Sequence, residues 1–464
     1  MNKILSLVTI VLFTSLGFSQ SAGNKIAFEK FTTNYNSAEF SAIYNDFSAE
    51  MQKALPLANT LQFFSGLQLQ AGKIKSSELS KAESESAASY KTIFEKGIFL
   101  ILISVNVEGK INGFRVTPFV ESIPSKVVNQ LQNYPNEIAD VIYANAKDFP
   151  NNTQLSIAVI KNGKVNYYGV QVLNDKLISI ENQDKVFEIG SLTKVFTSTI
   201  LADLVIEDKL KLSNKINPYY LFKFKNKTEL TFESLANHTS GLPRLPSNLD
   251  NADEINPYKN YGAKELDFYL MNQLQLTSES DNVYEYSNLG AGLLGYTLGI
   301  SQKTTLDKLF ENRIFKKYNM RNSFTSNENI GNQLVKGLNE NGAEIPNWDF
   351  DVLLGAGGIL SSTTDLVQFA QAQFDPKNKE LALTRKQTAT INENMQIGLG
   401  WHLLKSKKGN DLIWHNGGTG GYSSSMIIDE KNKNAVIILS NVSGFSSKNE
   451  NVDEMGFQLL EKIE

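Results

Sequence analysis

Residues 187–197 read FEIGSLTKVFT, a stretch that predicts both a fold and a site. Ser191 in its centre is the only serine in the chain with a lysine, Lys194, three residues on, and the apolar residues that follow predict a helix. Spacing of i to i+3 on a helix brings the Lys194 amine toward the Ser191 hydroxyl. Unpaired N–H groups and the positive end of the helix dipole would surround that oxygen. Because a serine nucleophile needs a proton acceptor within hydrogen-bond reach, Ser191 is the candidate catalytic residue.

Two further motifs follow along the chain. Tyr286-Ser287-Asn288 precedes a glycine-rich apolar run at 289–295, which predicts a tightly packed helix. His415-Asn416-Gly417 ends a strand-like segment, is followed by Gly418, and is the only His-x-Gly in the chain. The Tyr-x-Asn pattern is less selective, because it also occurs at 134–136, 143–145 and 258–260. We choose Tyr286 because it lies between the other two motifs and is followed by a helix.

The three motifs, in this order, resemble those of the active-site serine penicillin-recognising hydrolases. The similar branch contains class C β-lactamases, DD-peptidases, D-aminopeptidases and related esterases. The resemblance runs from about Leu155 to the C-terminus and includes HTSGLP at 238–243, GAGGI at 355–359 and GLGW at 398–401. It implies a β-lactamase/transpeptidase-like α+β domain, with a central antiparallel sheet and a helical lobe, that works through an acyl-enzyme.

The resemblance also implies a role for each motif residue. Ser191 would attack a carbonyl group, and Tyr286 would be the base, its pKa lowered from about 10 by the Lys194 ammonium. Lys194 would itself be the base if burial keeps it neutral, and the sequence leaves both options open. Asn288 would hold Lys194 and the substrate amide. The backbone N–H groups of Ser191 and Gly418 would bind the oxyanion.

His415 and Asn416 stand where β-lactamases of this family carry a lysine and a threonine that hold the antibiotic's carboxylate. A neutral imidazole weakens the positive charge at that place, whereas Asn416 would donate through its amide. Gly417 and Gly418 keep the strand open for backbone contacts. We therefore predict small esters or D-amino-acyl peptides of the peptidoglycan type as substrates, and poor turnover of β-lactams. A β-lactamase and a catalytically silent protein that binds cell-wall fragments are the alternatives.

Other catalytic classes lack their residues here. The α/β-hydrolase elbow needs glycine at the two positions that Ile189 and Thr193 occupy. The Ser-Asp-Asn and Lys-Thr-Gly motifs of class A β-lactamases do not stand at the matching places. The chain has no cysteine, and His238, His402 and His415 lie too far apart in sequence to suggest a zinc site. We expect neither a metal nor a cofactor.

The N-terminus predicts export. Met1-Asn2-Lys3 is followed by an uncharged apolar run from 4 to 18 and by small residues at 19–23, so residues 1–20 have the pattern of a secretory signal peptide. The apolar run is too short to favour a membrane span, although an uncleaved anchor is a minor alternative. Without cysteine the exported chain has no disulfides. We expect a periplasmic or secreted protein with no stable membrane span after signal cleavage.

Composition indicates ordinary globular material. The 464 residues suggest two to three domains, and 41% of them are hydrophobic and 20% charged. A net charge of −4, with both signs interspersed, gives no reason to expect a nucleic acid partner. A small-molecule ester or peptide is therefore the expected ligand.

The order of patterns predicts two domains. Residues 28–72 have a helical pattern, and β-rich segments follow at 90–94, 98–107 and 111–119. Residues 21–120 therefore predict a small α+β accessory domain, which resembles the nuclear-transport-factor-like cone. We place a linker at 121–135 and the hydrolase domain at 136–464.

Overall fold

The computed structural model describes residues 22–84, 86–119, 126–249, 255–277, 283–328 and 330–464. The chain divides into two compact units, residues 1–124 and 125–464. The predicted signal peptide at 1–20 lies outside the described residues. Among those that are described, no helix is long and apolar enough to cross a membrane.

The front unit packs helices on a four-stranded antiparallel sheet of order β1-β2-β3-β4. Its elements are α1 Ala22–Asn36, α2 Phe40–Asn45, α3 Ala49–Ala54, α4 Leu57–Ala71, β1 Ile74–Ala82, β2 Ala87–Phe94, β3 Gly97–Val105 and β4 Ile111–Pro118. Aromatic rings fill its core, where Phe31 contacts Tyr35, Phe64 and Phe114. The predicted α+β architecture of this unit is confirmed. Strand β1 was not predicted, because nearly all of its side chains are exposed and it carries no hydrophobic alternation.

The large unit contains a ten-stranded sheet of order β13-β14-β15-β16-β17-β18-β6-β7-β8-β5. Its strands are β5 Val128–Gln130, β6 Gln154–Lys161, β7 Lys164–Leu173, β8 Lys176–Ile180, β13 Ala389–Asn392, β14 Met395–Ile397, β15 His402–Lys405, β16 Asp411–Gly418, β17 Ser423–Asp429 and β18 Asn434–Ser440. Neighbouring strands are antiparallel except β5 and β8, which are parallel. Because β18 pairs with β6, strands from both ends of the unit form one sheet.

Strand β5 lies within the segment that we predicted to be a linker. It pairs with β8 through Val128–Gln130, so this part of residues 121–135 belongs to the sheet of the large unit. Its three residues are too few to show a strand pattern in the sequence.

Helices α5 and α14 pack on one face of the large sheet, and α6 and α12 pack on the other. The helices of the unit are α5 Asn136–Ala146, α6 Thr193–Ile206, α7 Phe232–Ala236, α8 Ala263–Phe268, α9 Asn288–Ser301, α10 Leu306–Leu309, α11 Leu354–Gly357, α12 Thr363–Gln373, α13 Lys379–Thr384 and α14 Glu450–Ile463. Two short strand pairs complete the unit: β9 Val186–Glu188 with β12 Leu360–Ser362, and β10 Gly337–Leu338 with β11 Glu344–Ile345.

Alternate residues of the central strands serve two separate cores. Ile157 and Ile427 pack with α5 and α14, whereas their neighbours Ala158 and Ile428 pack with the helical lobe. This follows from the two-residue period of a strand, which sends successive side chains to opposite faces. Because both faces of the sheet are buried, β16 is held in place, and its site residues lie against the start of α6.

Candidate active site

Ser191 lies in a short 3-10 turn, Gly190–Leu192, that leads directly into α6. Gly190 has a φ of +52°, and a Cβ built there would lie 2.7 Å from the backbone nitrogen of Gly418. Both facts require glycine at this position. The hydroxyl of Ser191 is partly exposed, at the N-terminal end of a helix whose other residues are almost all buried.

The Lys194 side chain is buried and reaches three oxygen atoms. Its Nζ lies 3.0 Å from Ser191 Oγ, 2.9 Å from Asn288 Oδ1 and 2.7 Å from the carbonyl oxygen of Ala356. The two carbonyl oxygens can only accept, so a neutral amine gives them its two hydrogens and turns its lone pair toward the serine hydroxyl. Burial lowers the pKa of Lys194 well below its usual value, and Arg244 lowers it further. This environment favours the neutral, basic amine.

Asn288 is held at the first turn of α9. Ser287 caps this helix, because its hydroxyl accepts a hydrogen bond from the Gly290 N–H at 2.8 Å. The Asn288 carbonyl accepts from Lys194, and its Nδ2 donates to the hydroxyl of Tyr258 at 3.1 Å. Asn288 therefore orients the Lys194 amine and keeps one amide hydrogen for another acceptor.

Tyr286 lies beside both Ser191 and Lys194. The Lys194 Nζ is 4.8 Å from the centre of its ring, and a hydrogen bond links its hydroxyl with Ser191. Burial raises the pKa of Tyr286 to about 12, although the bond to Ser191 and the charge of Arg244 oppose the shift. The expected lowering of this pKa by a Lys194 ammonium is therefore wrong, because burial outweighs the opposing effects and also disfavours the ammonium itself.

Gly417 and Gly418 of β16 pack against the backbone that carries Ser191. A Cβ built on Gly417 would lie 2.0 Å from the Ile189 carbonyl oxygen and 2.9 Å from Ser191 N. Only glycine permits this approach, which brings the strand to the amide group of Ser191. The two amides predicted to bind an oxyanion, those of Ser191 and Gly418, therefore lie on adjoining backbone segments.

His415 and Asn416 point to opposite faces of β16. His415 is buried, and its Nδ1 lies 2.6 Å from the carbonyl oxygen of Asn416. Since a carbonyl only accepts, Nδ1 carries the proton, and Nε2 is an acceptor with no partner among the described residues. Burial lowers the pKa of His415 well below its usual value. His415 therefore offers the site a neutral acceptor rather than a positive charge.

The predicted role of Asn416 in substrate binding is wrong. Its Nδ2 donates to Asp453 Oδ2 of α14 at 2.6 Å, and the Ser425 hydroxyl and Trp414 indole donate to the other oxygen of that carboxylate. Because successive side chains of a strand alternate, His415 on the site face sends Asn416 to the α14 face. Asn416 instead links β16 to α14 through its hydrogen bond to Asp453.

The three histidines lie far apart in sequence but close together in the fold. The rings of His402 and His415 are 5.2 Å apart, and the ring of His238 lies 4.5 Å from that of Tyr286. Burial lowers the pKa of His402 to about 4 and holds those of His238 and His415 well below the usual value. All three are neutral at pH 7. Within the described residues, no group of three or more histidine or carboxylate side chains is arranged to hold a metal ion.

Glu188, three residues before Ser191, is a buried carboxyl group. Its Oε1 accepts from Asn347 Nδ2 at 2.7 Å and from the Trp348 N–H at 2.8 Å. Burial raises its pKa to about 7, and these hydrogen bonds offset the shift only in part. The segment that leads into the Ser191 turn therefore contains a buried carboxyl group that is partly protonated at pH 7.

Three groups at the site were not predicted. Tyr258 belongs to a Tyr-x-Asn pattern that we set aside, yet its hydroxyl holds Asn288. Ala356, in the GAGG stretch, supplies the carbonyl that binds Lys194. Arg244 directly follows the HTSGLP stretch, and its guanidinium carbon lies 5.3 Å from the Tyr286 ring centre. The available signal was that Ala356 lies within a motif and that Arg244 directly follows one.

The fold and site define an active-site serine hydrolase, and comparison with known proteins supplies the family. Residues 146–456 match the Beta-lactamase family, so the chain belongs to it and is a serine hydrolase of that family. Residues 29–114 match a protein family of unknown function, DUF3887.

Similar proteins carry several names. A beta-lactamase of Pseudomonas fluorescens is 27% identical over 54% of this chain and 69% of its own length. Protein flp of Staphylococcus aureus is 26% identical over 62% of this chain, but the match spans only 59% of that protein. The D-alanyl-D-alanine-carboxypeptidase/endopeptidase AmpH of Escherichia coli is 26% identical over 60% of this chain and 77% of its own length.

A solved structure shares the fold. The beta-lactamase/D-alanine carboxypeptidase of Pseudomonas syringae has a TM-score of 0.58, covers 70% of this chain and 99% of its own, and is 18% identical in sequence. The predicted β-lactamase/transpeptidase-like architecture is confirmed by this likeness.

Proposed function

We propose that the protein hydrolyses small esters or D-amino-acyl peptides through an acyl-enzyme on Ser191. The observation that carries the proposal is the buried Lys194 amine, 3.0 Å from the Ser191 hydroxyl and fixed by two carbonyl acceptors. A protein that only binds ligands has no need of a neutral lysine aimed at a serine. This arrangement therefore speaks against the silent cell-wall-fragment binder.

In the proposed acylation, Lys194 takes the proton of Ser191 as the serine oxygen attacks the substrate carbonyl. Negative charge then develops on the carbonyl oxygen, where the N–H groups of Ser191 and Gly418 would stabilise it. The bond to the leaving group breaks, and that group takes the proton from Lys194 directly or through the hydroxyl of Tyr286. With a pKa of about 12, Tyr286 acts as a proton donor and relay rather than as a standing phenolate.

Deacylation repeats the same proton transfers with water. Lys194 accepts a proton from the attacking water molecule, the tetrahedral intermediate collapses, and Ser191 recovers its proton as the acid product leaves. The amide of Asn288 holds the amine in place through both half-reactions.

The substrate class is the finer part of the proposal. Names that include a D-alanyl-D-alanine-carboxypeptidase support peptide substrates, and a relative named beta-lactamase supports β-lactams as the second candidate. The neutral His415, in the place where β-lactamases carry a lysine, supplies no fixed positive charge for a β-lactam's carboxylate, and so favours neutral esters over β-lactams.

Three substrates separate these candidates. We would measure kcat/KM for a short-chain p-nitrophenyl ester, a D-alanyl-D-alanine peptide and a chromogenic cephalosporin, with Ser191→Ala as the blank for each. The proposal expects turnover of the ester or the peptide to exceed that of the cephalosporin. Cephalosporin turnover at or above the ester rate would make β-lactamase the function, and binding of all three without turnover would make the protein a binder.

We also propose export to the periplasm or beyond the cell, on the signal-like pattern of residues 1–20. Mass spectrometry of the N-terminus of the protein from the native cell envelope or medium tests it. A mature start near residue 21 is expected, whereas an intact Met1 in the cytoplasmic fraction would contradict export.

A further inference from the structure

Arg244 presents an exposed positive charge beside the proton path. Its guanidinium carbon lies 5.3 Å from the Tyr286 ring centre, and in the described part of the chain no carboxylate forms an ion pair with it. A cation over an aromatic face is attracted by the ring without spending its N–H groups as hydrogen-bond donors. The N–H groups of the guanidinium are therefore available to a ligand.

The backbone of Arg244 is fixed to the segment that carries the other site residues. Its carbonyl accepts from the N–H groups of Asn288 at 3.0 Å and Leu289 at 3.1 Å. The hydroxyl of Ser287 donates to the preceding carbonyl, that of Pro243, at 2.7 Å. The start of α9 therefore fixes the backbone position from which the Arg244 side chain extends, relative to Tyr286 and Asn288.

Arg244 differs from the other basic groups of the site because it carries a positive charge. Burial lowers the pKa values of Lys194 and the three histidines, which favours their neutral forms, whereas Arg244 carries a guanidinium cation. The charge of Arg244 contributes to lowering the pKa of Lys194 and of His238, so its field reaches into the site. An approaching anion would meet this charge and no ammonium from β16.

We propose that Arg244 binds a carboxylate carried by the leaving group of the substrate. The inference rests on the proposed function and deepens it. Tyr286 and Lys194 must return the serine proton to the leaving group, so that group lies near the Tyr286 ring, over which the Arg244 guanidinium carbon lies 5.3 Å from the centre. A guanidinium matches a carboxylate with two parallel hydrogen bonds. The resulting preference is for acyl donors whose leaving group is an anion, as in esters of hydroxy acids or peptides with a free terminal carboxylate.

A matched pair of esters isolates this contact. 3-Acetoxybenzoate and 3-acetoxybenzamide have nearly the same shape and give the same acetyl-enzyme, so a difference between their kcat/KM values reports on the leaving group alone. We would measure both with the full chain, with Arg244→Gln and Arg244→Lys, and with Arg321→Gln as a control. Arg321 is an exposed arginine that binds Asn319.

We expect the benzoate-to-benzamide ratio of kcat/KM to fall about tenfold or more in Arg244→Gln, mainly through KM. Arg244→Lys should retain part of the preference, since it keeps the charge but loses the paired geometry. Arg321→Gln should leave the ratio unchanged. The ratio compares two substrates on one protein, so it does not depend on the folded fraction.

Two results would overturn the inference in distinguishable ways. An unchanged ratio in Arg244→Gln, with acetyl-Ser191 still formed, would refute the role of Arg244 and leave the proposed function standing. Failure of the parent protein to form acetyl-Ser191 from either ester, together with no turnover of the D-alanyl-D-alanine peptide, would refute the proposed function and this inference with it.

Discussion

Replacing Lys194 with methionine tests the proton path at its centre. Methionine has a similar unbranched shape, but its thioether is not basic enough to take the Ser191 proton, so acylation loses its general base. Such a group contributes about 10²- to 10⁴-fold, and we expect a loss in that range. The carbonyl oxygens of Asn288 and Ala356 lose their partner as well. Each loss costs about 1–3 kcal/mol of the free energy of unfolding, which a large domain should tolerate.

The assay is the pre-steady-state release of p-nitrophenol from a short-chain ester, followed from pH 6 to 9. In the parent protein the acylation rate should rise with pH through the lowered pKa of Lys194, wherever that pKa falls, and be level once the amine is neutral. Tyr286, with a pKa of about 12, should add no further rise in this range. Lys194→Met should lose the pH-dependent rise.

Lys317→Met is the matched control. Lys317 is also partly buried in the large unit, but it pairs with Asp203 and Glu380 away from Ser191. Its removal should lower stability and leave acylation unchanged. A Lys194→Met protein that is folded and within about tenfold of the parent rate would refute a lysine base.

Three further changes test other parts of the site. Tyr286→Phe should slow turnover about 10²-fold through loss of the proton relay. The control is Tyr143→Phe, which removes a hydroxyl that donates to the Val127 carbonyl in another Tyr-x-Asn pattern and should leave turnover unchanged. Equal rates for the two variants would contradict the relay. Asn416→Ala should leave kcat/KM unchanged but lower the free energy of unfolding by about 1–3 kcal/mol in urea titrations, because Asp453 loses a partner, and a large loss of activity would restore Asn416 to the substrate site. Glu188 has a folded pKa of about 7 against 4.5, so its contribution to stability should fall by up to about 3 kcal/mol as pH rises from 4.5 through 7. Urea titrations at pH 5 and 8 should show that fall in the parent and not in Glu188→Gln, and equal pH dependence would contradict it.

Local patterns predicted most of the fold. The Lys161-Asn162-Gly163-Lys164 turn joins β6 to β7 with positive φ at Asn162 and Gly163, a conformation that an Asn-Gly pair favours. The central strands β17 and β18 carry long apolar runs because they are buried on both faces. Strand β1 was not predicted because its exposed side chains show no alternation of apolar and polar residues. Strand β5 was not predicted because three residues are too few to show such an alternation.

The sequence predicted contacts between site residues that belong to one motif, where the number of residues between them sets their separation. It did not predict contacts between residues that only the fold brings together. Ser191 and Lys194 meet because both belong to one helical turn. Asn416 was assigned by its neighbours without regard to strand alternation, which sends it to α14. Tyr258 reaches Asn288 from 30 residues away, and no spacing rule foretells such a contact. The pKa of Tyr286 depends on burial, which the sequence around it does not report.

The most direct test of the account is the mass of the protein after a brief acid quench with a short-chain p-nitrophenyl ester. We predict a single acyl adduct that maps to the peptide containing Ser191, disappears with time as water hydrolyses it, and is absent in Ser191→Ala. That variant should fold, because alanine at a helix start costs only about 1 kcal/mol. An adduct on another residue, or one that persists in Ser191→Ala alongside undiminished hydrolysis, would contradict the mechanism.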